Sequence, residues 1–222
     1  MAMYTLHIKL ESDAVFGRGD GLAGVVDQEV EHDEYGLPFL RGRTLKGLLV
    51  EECANILYAL GKQKPALAEK YQEVANRLFG KPGSGLQDNA LLRMGDARLP
   101  EDLCAAVRFS VERKELSRLD VLESLTDVRR QTAMDETGKP EEHSLRATRV
   151  ILRDTPFISQ LAFASPPDDT DLALLAACIK AFRRAGTGRN RGYGRLTATL
   201  RDRQGKDVTD ERFGLFRKEV LP

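Results

Sequence analysis

DDTDLALLAACIKAFRRAGTGRNRGYGRLTATL, residues 168–200, places a helix, a glycine-rich loop and a strand in direct succession. Residues 168–185 carry apolar side chains at helical spacing, which predicts an amphipathic helix. Its apolar stripe consists of Leu172, Leu175, Ala176, Ile179 and Phe182. Residues 195–200 alternate as a short strand does. The segment between them, residues 186–194 or GTGRNRGYG, is called the glycine loop below.

The elements before this segment complete a recognisable order. The pattern predicts a strand at 4–12, a helix capped by Thr44 and ended by Gly61, a helix at 65–79, strands at 91–99 and 105–111, and one long or bent strand at 146–163. Leaving out insertions, the order is strand, helix, two or three strands, helix, strand, close to the split βαβ of ferredoxin-like and RRM folds. The prediction is one α+β domain over 1–222, with a helical insertion at about 62–90 and a projecting arm at about 112–146.

Length and composition narrow the protein class. The 222 residues suit one compact domain, and no run of about 18 apolar residues predicts a membrane span. The N-terminus lacks the basic and apolar regions of a signal peptide. Three separated cysteines, Cys53, Cys104 and Cys178, form no CxxC pair and indicate neither a disulfide framework nor a zinc cluster. We therefore expect a cytoplasmic protein with no membrane partner.

Charge is balanced overall but unevenly distributed. Lys and Arg number 34, as do Asp and Glu. Residues 183–203 nevertheless hold seven arginines and one acid, Asp202, whereas residues 11–38 hold eight acids and one arginine, Arg18. Such a stripe suits a polyanion on one face, with carboxylates left for chemistry on another. The alternative is ordinary solvated surface.

The glycine loop matches neither nucleotide-binding fingerprint. GxGxxG from Gly186 would need glycine at Arg191, and no GKS or GKT follows for a Walker A loop. Its glycines permit positive φ and close approach to a ligand, while its arginines suit phosphates and Tyr193 offers a stacking surface. We therefore predict contacts with RNA or another polyanion from Gly186, Gly188, Arg189, Asn190, Arg191, Gly192, Tyr193 and Gly194. A helix C-cap followed by a tight turn explains Gly186 but hardly four glycines interleaved with arginines.

A second basic motif, Leu40 to Gly47 or LRGRTLKG, opens the first predicted helix. Unpaired amides at a helix N-terminus attract anions, so a further phosphate contact is predicted there. The residues concerned are Arg41, Arg43, Thr44 and Lys46. A capped helix with solvent-facing basic residues explains the motif equally well.

Five motifs in order resemble the RAMP proteins, or repeat-associated mysterious proteins, of type III CRISPR effector complexes. They are PFLRGRTLKG at 38–47, LFG at 78–80, GDA at 95–97, TAMDETG at 132–138 and the glycine loop. The resemblance implies an RRM-like backbone subunit that stacks in several copies along a guide RNA and contacts it through the glycine loop and the first-helix motif. It also implies a thumb-like hairpin within the predicted arm.

The same resemblance implies a catalytic residue. In backbone subunits that cleave target RNA, an aspartate in the loop after the first strand is catalytic, and Asp27 stands at the matching place. The implied function is metal-dependent cleavage of guide-paired target RNA, with Asp27 orienting or deprotonating a 2′-hydroxyl or holding a divalent cation, Mg or Mn. Implied partners are the CRISPR guide RNA, target RNA, further copies of the chain and other CRISPR effector subunits. The alternatives are a non-catalytic RNA-binding scaffold and a guide-processing endoribonuclease of the same superfamily.

Other chemistry has weaker support in the sequence. His7, His32 and His143 are scattered and form no HExxH motif or triad. Four aspartates, Asp13, Asp20, Asp27 and Asp33, would suit a hard cation if their oxygens converged. A guide-processing enzyme would be expected to have a histidine near the glycine loop, and none is close in sequence.

Overall fold

The computed structural model describes residues 3–22, 24–81, 90–132, 137–139 and 144–221. Its strands are β1 Met3–Leu10, β2 Leu92–Met94, β3 Thr126–Gln131, β4 Arg146–Ile151, β5 Pro156–Phe163 and β6 Leu196–Arg201. Its helices are α1 Gly42–Gln63, α2 Pro65–Phe79, α3 Glu101–Glu112, α4 Arg118–Leu125, α5 Asp169–Ala181 and α6 Thr209–Val220. No helix in these described ranges has the length and apolar character needed to span a membrane.

Four strands form the main antiparallel sheet in the order β2-β5-β1-β6. With α1 between β1 and β2, and α5 between β5 and β6, this is the split βαβ arrangement. Alternation along β1 buries Leu6, Ile8 and Leu10 in one core with α1 and α5. The prediction of an α+β, ferredoxin-like fold is confirmed.

A two-stranded ribbon, β3–β4, stands beside the main sheet. Residues between β1 and α1 pair with this ribbon, through bridges Ala14↔Ile151 and Gln28↔Thr148. The predicted arm over 112–146 includes α4 and β3, while its residues 133–136 and 140–143, with His143, lie outside the described residues. The ribbon therefore joins the long segment after β1 to the arm.

The predicted insertion over 62–90 contains α2, which packs against α1 and α5. Tyr71 and Leu78 of α2 are fully buried in the common core. Residues 82–89 of the insertion lie outside the described part of the chain. The described part of the insertion thus contributes to the core instead of projecting from it.

Four predictions of local structure are wrong, one of them the end of the first helix at Gly61. Residues 105–111 belong to helix α3, which Glu101 and Asp102 stabilise at its N-terminus. Residues 146–163 form two strands in different sheets, separated at 152–155, where Asp154 has a φ of 67°. Thr44 is not a cap, because α1 already begins at Gly42.

The start of α1 is capped by a residue from another element. The Gly42 N–H donates to the Asp96 carboxylate at 2.9 Å, and Asp96 follows β2. A Cβ at Gly42 would also overlap the Met94 carbonyl oxygen. The motif therefore needs glycine at position 42 so that α1 can begin against the end of β2. The helix then continues past Gly61 to Gln63.

Candidate nucleic-acid interface

All four glycines of the glycine loop have a left-handed backbone. Their φ values are 87° at Gly186, 71° at Gly188, 88° at Gly192 and 72° at Gly194. Residues with side chains rarely adopt this conformation. Between Gly188 and Gly192, residues Arg189–Arg191 form a single 3₁₀ turn. The interleaving of glycine and arginine thus produces a tight turn with its cationic residues in the middle.

The two outer glycines fix the loop against the chain that follows β1. A Cβ at Gly186 would overlap the Val15 carbonyl oxygen, and one at Gly194 would overlap the Ala185 carbonyl oxygen. The Gly194 N–H donates to the Asp13 carbonyl oxygen at 2.8 Å. The Ser12 Oγ donates to the Gly192 carbonyl oxygen at 2.9 Å. Close backbone approach at both ends therefore defines the shape of the loop.

A groove of about 850 Å³ lies between the glycine loop, α1 and the β3–β4 ribbon. Its charged lining consists of Arg183, Arg184, Arg189, Arg191, Glu51 and Glu52. Arg189 Nη1 lies 3.3 Å from Glu51 Oε2. Within the described residues, Arg183 and Arg191 have no carboxylate partner. The groove thus presents uncompensated guanidinium groups, which suit an anionic ligand.

A second cavity, of about 430 Å³, lies where the glycine loop meets the start of α1. Arg41 and Thr44 line it together with Gly186 and Arg189. The two basic motifs predicted from the sequence, about 140 positions apart, therefore adjoin in space. Arg43 and Lys46 line neither cavity.

Arg41 is already paired. Its Nε and Nη2 lie 3.0 and 2.9 Å from the two carboxylate oxygens of Glu31. This hydrogen-bonded carboxylate raises the pKa of Arg41 above its ordinary value, so the guanidinium stays charged but is neutralised locally. Arg41 therefore offers an anion less net charge than Arg183 or Arg191 does.

Tyr193 connects the glycine loop to the ribbon. Its hydroxyl accepts a hydrogen bond of 2.9 Å from Gln131 Nε2, at the end of β3. The ring edge would lie 2.9 Å from a Cβ at Gly188, so one side of the ring is covered by loop backbone. Tyr193 thus lines the groove with its ring half-buried.

Asp27 sits at the edge of the same region, paired with β4. Its N–H donates to the Ala147 carbonyl oxygen at 2.7 Å, and its Oδ2 accepts from the Ala147 N–H at 2.6 Å. The residue is exposed, and the next residue, Gln28, lines the groove. A Cβ at Gly21 would overlap the Val26 carbonyl oxygen, so this turn also depends on glycine.

The other aspartates considered for a cation have separate partners. Asp13 pairs with Arg129 at 2.8 Å and Asp20 with Arg18 at 2.6 Å, while Asp33 accepts from the Tyr35 and Leu37 N–H groups. The hydrogen bond from Arg18 lowers the pKa of Asp20. In the described ranges, no three His, Cys, Asp or Glu side chains form a group that could hold a metal ion. Mg²⁺ is often held by one carboxylate plus waters and substrate phosphates, and Asp27 fits only that kind of site.

Neither described histidine lies beside the glycine loop. His7 is on β1, where burial lowers its pKa. His32 Nδ1 lies 3.2 Å from Arg118 Nη2 at the start of α4. Neither residue lines the groove or the second cavity.

Several groove residues were missed from the sequence. They are Gln28, Glu51, Glu52, Gln131 and Thr148, which come from the segment after β1, from α1 and from the two ribbon strands. Of these five residues, only Gln28 lies next in sequence to a predicted site residue, Asp27. The arginines Arg183 and Arg184 belong to the basic run of the sequence, but nothing local marks them as groove residues.

Comparison with solved structures gives the same fold. A chain in the cryo-EM structure of type III-B Cmr-beta bound to cognate target RNA has a TM-score of 0.61 at 14% identity, covering 89% of this chain and 96% of that one. A chain of the apo type III-B Cmr-beta structure has a TM-score of 0.59 at 16% identity, covering 91% of this chain and 97% of that one. A chain of a type IV-B CRISPR complex has a TM-score of 0.58 at 16% identity, covering 89% of this chain and 90% of that one. No curated protein sequence matches significantly.

A family model covers most of the sequence. It describes the RAMP superfamily and matches residues 7–197, from the first strand through the glycine loop to the start of β6. This range includes α1, the β3–β4 ribbon and both cavities. The chain belongs to the RAMP superfamily.

Proposed function

We propose that this chain is a guide-RNA-binding backbone subunit of a CRISPR effector complex of type III, and that it cleaves target RNA paired to the guide. The observation that carries the proposal is the groove beside the glycine loop, with Arg183 and Arg191 uncompensated. Membership of the RAMP superfamily supports it, as does the likeness of the fold to chains of CRISPR complexes, one of them bound to cognate target RNA.

The groove suits a sugar-phosphate backbone. Guanidinium groups bind phosphates through paired N–H donors, and a loop rich in glycine lets the backbone amides approach the same oxygens. Uncharged groups at the ribbon side, Gln28, Gln131 and Thr148, add hydrogen-bonding partners for ribose or bases. We therefore assign the guide strand to this groove.

Changing Arg189 and Arg191 to alanine is expected to weaken guide-RNA binding at least about tenfold at low salt. Loss of two phosphate contacts should also flatten the slope of log affinity against log salt by about 1.4, since single strands give about 0.7 per phosphate. Filter binding over a salt series measures both quantities.

The matched control is the double change of Arg203 and Arg217 to alanine. These arginines are exposed and line neither cavity. Their replacement removes the same two positive charges as the change of Arg189 and Arg191. The control should keep the wild-type slope. If both double variants show the same affinity and slope, the glycine loop is not the RNA site.

For cleavage, we propose that Asp27 acts on the 2′-hydroxyl of the target strand. The Ala147 N–H holds Oδ2, which leaves Oδ1 to accept the hydroxyl proton. The 2′-oxygen then attacks the adjacent phosphorus, the bond to the 5′-oxygen breaks, and that oxygen takes a proton from water. The hydroxide left by the water takes the proton from Asp27, which restores the carboxylate. The products are a 2′,3′-cyclic phosphate and a 5′-hydroxyl end. A general base of this kind acts through proximity and its negative charge.

The proposed cofactor is a divalent cation, Mg or Mn; in the other role proposed for Asp27, its carboxylate would hold this cation instead of taking the proton. When bound, such a cation supplies positive charge near the developing negative charge of the phosphate. The remaining ligands would be water and RNA oxygens, in keeping with the single carboxylate available.

The alternative is a scaffold that binds RNA without cutting it. The hydrogen bond from Ala147 to the Asp27 carboxylate favours this alternative, because a structural turn residue would make the same contact. A guide-processing ribonuclease has less support, since neither described histidine is near the glycine loop.

We also propose that copies of the chain assemble head to tail on guide RNA. Seven of the ten exposed large apolar side chains in the described residues lie in the segment before Asp27, in or between α3 and α4, or just before β4. They are Leu22, Val25, Leu103, Phe109, Leu116, Leu119 and Leu145. Leu22 and Leu119 line one cavity, and Leu103 and Leu116 line another. Exposed apolar surface of this kind is typical of protein–protein contacts.

Light scattering at saturating RNA is expected to show a mass that grows with RNA length, because a head-to-tail contact does not close on itself. Leu119→Asp should reduce this growth and leave the affinity of one copy for a short RNA unchanged. A mass that stays at one chain per RNA at every length would contradict the assembly proposal.

A further inference from the structure

Glu29, two residues after Asp27, forms a buried ion pair with Arg149 of β4. Their side chains are only 4% and 6% exposed. Arg149 Nε lies 2.9 Å from Glu29 Oε1 and 3.1 Å from Oε2. Among the ion pairs of the described residues, no other has both side chains below 10% exposure. The mechanism proposed above does not use either residue.

The remaining polar atoms of the pair connect three parts of the chain. Glu29 Oε1 also accepts from the Val30 N–H at 2.9 Å. Arg149 Nη1 donates to Thr126 Oγ1 at 3.3 Å, and that hydroxyl donates to the Leu122 carbonyl oxygen at 2.6 Å. The pair therefore ties the segment after β1 to β4 and to the junction between α4 and β3.

The segment after β1 that holds Glu29 also holds Asp27. Arg149 and Ala147 are two positions apart in β4 and so share one face of it. The Ala147 backbone binds Asp27 in both directions, and the Arg149 N–H donates to the Gln28 carbonyl oxygen at 3.0 Å. A shift of Glu29 relative to Arg149 would consequently shift Asp27 relative to Ala147.

Stability alone does not account for such a pair. Burying two charges removes their hydration, and apolar side chains of similar volume often stabilise a protein equally well or better. What a hydrogen-bonded pair adds is direction, because a guanidinium and a carboxylate meet in few geometries. An apolar pair in the same place would leave the register of the segment to the backbone hydrogen bonds of Asp27 and Gln28 with β4.

We infer that the Glu29–Arg149 pair is a positioning device that holds the Asp27 carboxylate in register with β4 for cleavage. The inference rests on the proposed function of Asp27. Both residues are positioning residues: they act through the backbone of 27–30 and 147–149 and do not touch the RNA. A small displacement of a reacting group can lower a rate by about a hundredfold.

The test replaces the whole pair, Glu29→Met together with Arg149→Met, in the full chain loaded with guide RNA. Single changes would leave one buried charge without its partner and unfold the site. The double variant is expected to keep its melting temperature and its affinity for guide RNA. Its kcat for target cleavage should fall about 10- to 100-fold with KM unchanged. Amide exchange measured by mass spectrometry over 24–31 should become at least about tenfold faster.

Arg149→Lys is a second variant, for use if the double variant fails to fold. It keeps a charge opposite Glu29 and loses the bond to Thr126, so kcat should fall less, again with KM unchanged. Arg77→Met is the control. Arg77 is half-exposed and pairs with the buried Asp171 between α2 and α5, away from Asp27. Asp171 still accepts from the Asp168 N–H, so the loss of Arg77 should lower the melting temperature without unfolding the chain or altering kcat.

Each result decides one of the two claims. Wild-type kcat and wild-type exchange in the double variant would overturn the positioning role, whatever Asp27 does. If Asp27→Ala cuts as fast as wild type, or if wild type does not cut, the proposed cleavage function fails. The exchange measurement then still decides whether the pair holds the 24–31 segment.

Discussion

Replacing Asp27 with alanine is expected to lower the rate of target-RNA cleavage by about 10² to 10⁴-fold, the usual contribution of a positioned acid–base group. Guide-RNA affinity should stay within about twofold, because Asp27 does not line the groove and carries no positive charge. Single-turnover cleavage of guide-paired target, together with filter binding of the guide, measures the two effects separately.

Two further variants separate the carboxylate from the shape of the turn. Asp27→Asn can still accept from the Ala147 N–H, so it should keep the turn and lose cleavage. Asp20→Ala removes an exposed aspartate of the same segment that pairs only with Arg18, and it should cut at close to the wild-type rate. Cleavage by Asp27→Ala within a few-fold of wild type would support the scaffold alternative.

Replacing Gly194 with alanine is expected to lower the free energy of unfolding by about 3 kcal/mol or more. The left-handed backbone itself costs about 1–2 kcal/mol in a residue with a side chain. The new methyl group would also overlap the Ala185 carbonyl oxygen and separate the end of α5 from the start of β6. Guide-RNA affinity should fall at least about tenfold, because this contact shapes the glycine loop.

Gly192→Ala is the matched control. Gly192 has a similar φ, 88° against 72°, but a Cβ there meets no atom within 4 Å. The free energy of unfolding of this variant should therefore fall only by the cost of the left-handed backbone, about 1–2 kcal/mol. Urea unfolding of the two variants compares the losses directly. Equal losses would show that the approach of Gly194 to Ala185 does not shape the loop.

The order of the main sheet could be predicted because its signals are local. Alternation in β1, the apolar stripe of α5 and the strand after the glycine loop each appear within one short window. The glycine loop could also be recognised as unusual, since four glycines spaced among arginines have few structural explanations. Together with α1, β2 and β5, these elements form the split βαβ arrangement.

The failures have physical reasons as well. Residues 105–111 have the apolar content of a strand, yet Ala105 and Ala106 favour a helix and Glu101 starts one. Residues 146–163 are continuously rich in strand-forming residues, and nothing local shows that 146–151 pair with β3 and not with β1. Helix α6 is polar and forms by packing on α5.

The parts of the candidate site could be named from the sequence, but not their assembly. The resemblance to RAMP proteins singled out Asp27, and the sequence pattern singled out the α1 motif and the glycine loop. Their approach depends on the fold, and so does the neutralisation of Arg41 by Glu31. The buried pair of Glu29 and Arg149 lies 120 positions apart in sequence, and no local pattern distinguishes it from the many exposed charges.

The most direct measurement offers the guide-loaded chain three RNAs, namely guide precursor, guide-paired target and unpaired target, each with and without Mg or Mn. The account predicts cleavage of the guide-paired target alone, only with the divalent cation, and with a 2′,3′-cyclic phosphate on the upstream product. A 2′-deoxy substitution at the cleaved nucleotide should abolish the cut. Cleavage of the precursor, or no cleavage of paired target by assembled wild-type protein with metal present, would contradict it.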